Sequence, residues 1–387
     1  MKNDATGHGP ARDSALDTLR GLVMVVMVLD HARDFWHGLR ARPLDLATTT
    51  ADLFLTRWVT HFCAPVFVAL AGTSAYLYGV RRSPKERSRF LLTRGLFLVA
   101  LEVTVIRLLW IPDPLYHFTL LQVIWVIGWS FVVLAGLSRA PLGLVAAFGA
   151  ILVLGHNALD GVHAKSFGAL APVWNVLHER ARLTPAPGHA VYVSYPLVPW
   201  IGVMALGYAF GPVVRLPFAE RRALSWKLGA ALTLGFVLVR AVNGYGDPHP
   251  WKPQASALFT VFSFVNVEKY PPSLDYLLMT LGPALLLFAA LPSRAPRLSP
   301  LATLGRVPLL FYVLHLFLLR YSSIAVAALR FGARAFEPLP RGTAASPELP
   351  LYATYLAWLV SLAVLYPVCR AYAKAKAERP RPWMGYL

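Results

Sequence analysis

The chain has 387 residues, of which 57% are hydrophobic and only 14% are charged, and its mean hydropathy is +0.53. An average soluble domain is about 25% charged, so the composition excludes an ordinary soluble protein and predicts an all-α polytopic membrane protein. A net charge of +18 would suggest nucleic acid as a partner of a soluble protein. Here the positive residues lie between apolar runs, so we expect no nucleic-acid partner.

Ten apolar intervals near the spanning length of about 20 residues predict ten transmembrane helices. Their predicted bounds are 16–36, 56–80, 90–110, 116–137, 141–155, 196–213, 224–242, 274–292, 304–328 and 351–372. The first interval does not resemble a cleaved signal, because it follows a polar stretch, carries Asp30 and His31, and lacks a small-residue cleavage site. We therefore expect a transmembrane domain over 16–372, a short N-terminal segment over 1–15 and a basic tail over 373–387.

Positive residues cluster in the turns after the second, sixth and eighth predicted helices and in the tail. Arg81, Arg215, Arg294 and Lys374 represent these four clusters. Loops rich in Lys and Arg stay on the cytoplasmic side of a membrane. With ten helices all four clusters lie on one side, so both termini are expected in the cytoplasm.

The first predicted helix carries ionisable residues that lipid-spanning segments usually avoid. Arg20 and His31 are 11 residues apart, which is three helical turns plus about 20°, so they share one face and lie about 16 Å apart along the axis. Asp34 follows on the same face. An intramembrane salt-bridge network is the structural alternative, but three such groups on one stripe favour a site. An Asp34-oriented His31 would suit a general base, and Arg20 a phosphate-bearing ligand from the cytoplasm.

The same helix resembles the Arg-X10-His signature of transmembrane acyltransferases. The strings LDTLRGLVMVVMVLDHARDFW (16–36) and HFCAPVFVALAGTSAYLYG (61–79) are similar to a bacterial branch of that superfamily. This branch is related to the catalytic domain of heparan-α-glucosaminide N-acetyltransferase. Four later segments resemble it as well, at 195–211, 243–251, 269–286 and 304–319.

The resemblance implies transfer of an acyl group, expected to be acetyl, from cytosolic acyl-CoA to an acceptor across the bacterial inner membrane. It implies that His31 is the catalytic centre and that Arg20 binds the donor. An asparagine replaces His31 in the animal enzyme, so a sugar amine and a sugar hydroxyl of a glycan or glycolipid are both open as acceptors. The acyl chain length and the oligomeric state, with a homodimer as one possibility, also stay open. So does the choice between a covalent acyl-histidine intermediate and direct transfer.

Further polar residues extend the predicted site at both ends. His61 lies near the outer end of the second helix, at a depth close to that of His31, where packing is an equal alternative. Arg94 and Arg306 lie near cytoplasmic helix ends and could bind CoA phosphates. His315 lies mid-membrane and is a weaker candidate for the site.

Two long loops, 156–195 and 243–273, lie on the outer side in this topology and are rich in Pro, Trp, Tyr and His. Such side chains bind carbohydrate, but they also anchor proteins at membrane interfaces. Ordinary turn chemistry is a further alternative for several of them. The candidate acceptor-binding residues are Asn243, Tyr245, Asp247, Trp251 and Lys269.

The chain lacks HExxH and CxxC spacing, so we expect no metal. A rival hypothesis is a proton-coupled secondary transporter or lipid flippase, with His31, Asp34, Glu102 and His315 as a proton relay. Transporters of that kind usually carry inverted repeats with paired broken helices, which this sequence does not display. Glu102 and Arg107 are not stacked on one face, and each is expected to pair with another helix. The run Gly72–Thr73–Ser74 predicts close helix packing.

Overall fold

The computed structural model describes residues 14–37, 42–292, 299–336 and 346–379, together with residues 381 and 384. Most of the N-terminal segment, Arg294 and parts of the basic tail lie outside the described residues.

Helices make up most of the described chain. The α-helices are, in order, α1 (Ser14–Ala32), α2 (Ala51–Val59), α3 (Cys63–Gly79), α4 (Pro84–Leu101), α5 (Arg107–Trp110), α6 (Val123–Leu137), α7 (Leu142–Gly155), α8 (Ala171–Leu177), α9 (Leu197–Val214), α10 (Phe218–Val242), α11 (Ala257–Val265), α12 (Leu274–Ala290), α13 (Ser299–Gly305), α14 (Pro308–Phe331) and α15 (Leu351–Glu378). A π-helix over Arg33–His37 continues α1, and another over Glu102–Ile106 joins α4 to α5.

A helix lies in each of the ten intervals predicted from hydropathy. Within the described residues, six helical segments are long and apolar enough to cross a membrane, which supports a membrane protein. They are Ala51–Gly79, Leu142–Leu159, Leu197–Val214, Phe218–Val242, Pro308–Phe331 and Leu351–Glu378. The apolar helices α6 and α12 are shorter.

The mostly helical structure supports the expected all-α membrane protein, and in one region of the described residues three strands form a small sheet. The strands are β1 (Phe118–Leu121), β2 (Ala181–Ala186) and β3 (His189–Val193). β3 is central, parallel to β1 and antiparallel to β2. The interval 116–137 is therefore not helical throughout. Its first residues include strand β1, which pairs with the distant strand β3, and local apolarity cannot reveal such a pairing.

Close helix packing places α1 in the middle of the molecule. It packs against α3, α13, α14 and α15, and most of its residues are buried. A Cβ at Gly21 would collide with the backbone of Leu301 in α13, and a Cβ at Gly72 would collide with the Met204 carbonyl in α9. Thr73 Oγ1 donates to Gly207 O at 2.8 Å. The small-residue packing predicted for Gly72–Thr73–Ser74 is thus confirmed, and α1 brings its polar stripe into the protein interior.

Candidate active site

Two histidines from distant parts of the chain meet at the end of α1. His31 Nδ1 lies 2.6 Å from Nε2 of His315 in α14, and the two rings stack with their centroids 4.9 Å apart. His315 Nδ1 lies 2.9 Å from Phe311 O, one turn earlier. The pair joins the candidate histidine of the first helix to a residue 284 positions away.

The hydrogen-bond network fixes which nitrogen of each ring carries a proton. A carbonyl only accepts, so Nδ1 of His315 must donate to Phe311 O. Nε2 of a neutral His315 is then an acceptor, and His31 Nδ1 must donate to it. This leaves the lone pair of His31 on Nε2. In this arrangement Nε2 of His31 is the ring nitrogen that could act as a base or nucleophile.

Aromatic side chains surround the His31 ring. Trp110 of α5 meets it edge-on with centroids 5.1 Å apart, and Tyr312 of α14 does so at 6.1 Å. Phe35 packs on Trp110. These contacts restrict the imidazole to one orientation.

The expected pairing of Asp34 with His31 is replaced by a different one. Asp34 Oδ1 accepts a hydrogen bond from Arg33 Nη2 at 2.7 Å. The physical reason is that Arg33–His37 winds as a π-helix, in which a three-residue spacing no longer keeps two side chains on one face. The partner that orients His31 is His315.

Asp34 belongs instead to a buried ion cluster beside the histidine pair. Asp30 accepts from Arg33 at 3.0 Å and from Arg57 of α2 at 2.8 Å. Two carboxylates thus face two guanidiniums. The salt-bridge network considered as the structural alternative exists, and it lies next to the histidine pair.

His61 lies one turn beyond this cluster. Its Nδ1 is 3.0 Å from Arg57 O, and its own carbonyl accepts from the Tyr276 hydroxyl at 2.7 Å. Its Nε2 is buried and has no hydrogen-bond partner among the described residues. The described contacts of His61 are therefore with α2 and α12.

A cavity of about 1200 Å³ follows α1 toward the histidine pair. On α1 its wall runs from Leu16 to Met27, about 16 Å along the helix axis. It also includes Tyr312, which contacts the His31 ring. Among the described lining residues seven are basic and one, Asp17, is acidic. The basic ones are Arg20, Arg81, Arg82, Arg94, Arg215, Arg306 and Lys376.

The three arginines predicted to bind a donor all line this cavity, although they come from α1, α4 and the turn after α13. Arg20 is held rigidly. Its guanidinium donates to Asp17 Oδ1 at 3.0 Å, to Gly305 O at 2.9 Å and to Ser74 Oγ at 2.8 Å. Arg20 therefore pairs with Asp17, one turn earlier on α1, and also forms part of the cavity wall. Ser74 was interpreted only as a packing residue.

The charged residues of the third predicted helix have structural partners. Glu102 accepts from the backbone N–H groups of Gln122 and Trp125, at 3.1 and 3.2 Å, at the start of α6. Arg107 donates to Phe118 O at 2.9 Å and contacts Asp113. Glu102 thus caps a neighbouring helix, and Arg107 holds strand β1.

Four of the predicted acceptor-binding residues hold the loop after α10 together. The Asn243 side chain exchanges two hydrogen bonds of 3.0 Å with the backbone of Trp251. Asp247 accepts from Ser273 Oγ at 2.7 Å, and the Tyr245 hydroxyl donates to Leu154 O. Asn243 and Trp251 therefore hold the loop to itself, whereas Asp247 and Tyr245 hold it to the start of α12 and to α7.

Lys269 lies in a different setting, a cluster of rings and cations that sequence reasoning did not assemble. Its Nζ is 5.2 Å from the Tyr270 ring centroid, and the Arg180 guanidinium is 4.7 Å from the same ring. Tyr195 packs edge-on against Tyr270 at 5.0 Å. Burial acts to raise the pKa of Tyr270, but the Lys269 and Arg57 cations and the Tyr195 hydrogen bond outweigh it and hold the pKa below the usual tyrosine value. The cluster therefore lies within electrostatic reach of the ion cluster at Arg57.

The family model described as "Heparan-alpha-glucosaminide N-acetyltransferase, catalytic" matches residues 12–240, more than half of the chain. The chain belongs to this family. No curated protein matches it. The resemblance seen in the first helices is confirmed, and membership in the heparan-α-glucosaminide N-acetyltransferase catalytic family indicates a membrane acetyltransferase.

The matched region of this acetyltransferase family includes Arg20, His31 and Arg94 but ends before α12. His315, Arg306 and Lys269 lie beyond it. In the fold, Arg306 lines the same cavity, His315 forms the pair with His31, and Lys269 belongs to the ring cluster described above.

Proposed function

We propose that the chain is an acyl-CoA-dependent transmembrane acetyltransferase that moves an acetyl group from cytosolic acetyl-CoA to an extracytoplasmic acceptor. The acceptor would be a sugar amine or hydroxyl of a glycan or glycolipid. The observation that carries the proposal is the cavity with a basic mouth that follows α1 to Tyr312, beside the His31–His315 pair.

The two parts of the cavity match the two parts of a CoA thioester. The phosphates of the CoA head would bind Arg20, Arg94 and Arg306, because a guanidinium offers phosphate a fixed bidentate fork. The pantetheine arm would follow α1, along apolar wall residues such as Leu98 and Ile124. Arg20 and His31 are about 16 Å apart along the helix axis, close to the length of an extended arm.

The histidine pair would supply the proton transfer. As the acceptor O–H or N–H attacks the thioester carbonyl carbon, His31 Nε2 takes the acceptor proton. The C–S bond then breaks, and the proton passes to the departing CoA thiolate. During this step His31 is an imidazolium, and its Nδ1–H bond to His315 becomes a stronger, charge-assisted one. A covalent acetyl-histidine would form at the same Nε2 atom.

The direction of transfer follows from the proposed topology, in which ten helices cross the bacterial inner membrane and both termini are cytoplasmic. Lining residues Arg81, Arg215 and Lys376 belong to the basic turns and tail that the positive-inside rule places in the cytoplasm. The mouth would then open where acetyl-CoA is available.

The acceptor would approach the opposite end of α1 through the cluster of Lys269, Tyr270, Tyr195 and Arg180. Aromatic faces suit sugar rings, and the cations suit an anionic glycan or lipid headgroup. In this proposal Asn243 and Asp247 shape the entrance rather than bind the acceptor.

The test is acetyl-CoA binding and transfer by the full-length protein. We expect calorimetric binding of acetyl-CoA to the purified protein, and acetyl-CoA-dependent label in the glycan or glycolipid fraction of membranes that contain it. Arg20→Ala should weaken the binding of acetyl-CoA. Arg182→Ala, on strand β2, is its matched control because it removes an arginine that does not line the cavity. Absence of both binding and label from wild type would refute the proposal. Proton-coupled solute movement without acetyl-CoA binding would favour the transporter.

A further inference from the structure

A second constellation of chemically active side chains lies at the end of α7, away from the cavity wall and the histidine pair. His156 and Asp160 are four residues apart in the turn that follows α7, and His178 comes directly after α8. One ligand atom from each of the three residues can be chosen so that all three atoms lie within 4.8 Å of one another. The spacing from the first to the last ligand is 22 residues, unlike the short motifs used to search for metals in the sequence.

No hydrogen bond among the described residues accounts for the burial of the two His156 ring nitrogens. The residue is only 2% exposed, and both ring nitrogens are buried without a hydrogen-bond partner. A buried polar group that is left without a partner destabilises the folded state. Something that accepts a nitrogen lone pair is therefore expected at this ring.

The other two side chains are already oriented as metal ligands are. His178 Nε2 lies 3.0 Å from His156 O, and because a carbonyl only accepts, the neutral His178 ring keeps its lone pair on Nδ1. Asn157 Nδ2 donates to Asp160 Oδ2 at 2.8 Å, which leaves Oδ1 for another partner. Outer hydrogen bonds of this kind fix the ring orientation and the carboxylate in metal sites.

We propose that His156, Asp160 and His178 bind one Zn²⁺ ion. Two imidazole nitrogens and one carboxylate oxygen are a zinc ligand set, with water completing the tetrahedron. Ca²⁺ and Mg²⁺ prefer sites made of oxygen alone.

The ion would connect α7 to the segment that carries α8 and the β2–β3 hairpin. Asn157 extends the connection, since its Oδ1 accepts from Leu274 N of α12 at 2.9 Å. The site therefore has a structural role that is separate from the proposed transfer chemistry. The sequence expectation that no metal is bound rested only on HExxH and CxxC patterns.

The experiment uses full-length protein in detergent, purified without a polyhistidine tag and stripped with a chelator. Zn²⁺ is titrated against a chromophoric competitor, and Co²⁺ is added separately to record its visible absorption. We expect one Zn²⁺ per chain and Co²⁺ bands typical of a tetrahedral nitrogen–oxygen site. Asp160→Asn and His178→Ala should each weaken Zn²⁺ binding by at least about 100-fold, because losing a ligand should cost no less than the roughly 10- to 100-fold that losing an outer hydrogen-bond partner costs.

His163→Ala is the matched control, because His163 lies in the same loop but is largely exposed and pairs with Glu179. Its Zn²⁺ affinity should equal that of wild type. Asp160→Asn keeps the size of the side chain and so reports on the ligand even if His178→Ala fails to fold. Wild-type protein that binds less than one Zn²⁺ per chain, or equal weakening in the control, would overturn the site.

Discussion

Replacing His315 with alanine tests whether the histidine pair determines the reactive atom of His31. The variant removes the hydrogen-bond acceptor, His315 Nε2, that lies 2.6 Å from His31 Nδ1. His315 itself does not line the cavity proposed to bind acetyl-CoA. A buried donor without a partner costs about 1–3 kcal/mol. Because each 1.36 kcal/mol is a tenfold change in rate, we expect transfer to slow by about 5- to 150-fold. Loss of the base itself costs about 10²–10⁴-fold.

His315→Gln separates positioning from simple structural support. A glutamine amide oxygen can accept from His31 Nδ1, so this variant should recover part of the lost rate. The assay is the initial rate of acetyl label entering the membrane glycan or glycolipid fraction at varied acetyl-CoA. In both variants we expect kcat to fall while KM for acetyl-CoA stays near the wild-type value. The unfolding temperature of each variant is measured by tryptophan fluorescence.

Two results would refute this role of His315. One is a folded His315→Ala protein with wild-type kcat. The other is an equal loss of rate in both variants together with a lowered unfolding temperature, since that pattern indicates only a packing role.

Three more predictions address the rest of the proposed site and the topology. His31→Ala should reduce transfer by at least about 10²-fold yet retain acetyl-CoA binding, which single-turnover and calorimetric measurements can check; near-normal turnover would remove His31 from the catalytic role. Arg20→Ala should weaken acetyl-CoA binding more than it slows the transfer step, and Arg20→Lys should restore binding only partly, which calorimetric titration of acetyl-CoA and of dephospho-CoA into wild type and both variants can check; unchanged affinity in a folded Arg20→Ala protein would leave Arg20 with its structural bonds to Asp17 and Ser74. Reporter fusions at Lys85 and at the C-terminus should both score cytoplasmic, and an outside score for either would contradict the ten-helix topology.

The helices and the cavity-lining arginines of the proposed donor site were accessible from the sequence because they depend on local patterns. Hydropathy placed a helix in each interval, and the 11-residue spacing placed Arg20 and His31 along one helix. The cavity in the structure follows that same helix. Features that a local sequence pattern encodes could therefore be predicted from the sequence.

The partners of these residues depended on long-range packing and local distortion. His315 lies 284 residues from His31, and its contact with His31 requires α14 to pack on α1. Asp34 was expected on the His31 face because regular α geometry was assumed beyond Ala32, whereas the chain winds as a π-helix there. Strand β1 was read as helix because its pairing partner lies in a distant loop.

The two ends of α1 carry different charge arrangements, and the difference suits the two halves of the proposed reaction. Near His31, Asp30 and Asp34 face Arg33 and Arg57, so carboxylates and guanidiniums balance. The cluster carries no net charge of its own, so it adds no net repulsion to the imidazolium that the proposed reaction would form at His31. Near Arg20 the charged residues of the described wall are mainly basic, which attracts phosphate. A donor anchored by its head would place its thioester beside Met27 and Tyr312, within reach of the histidine pair and away from the cations that bind its phosphates.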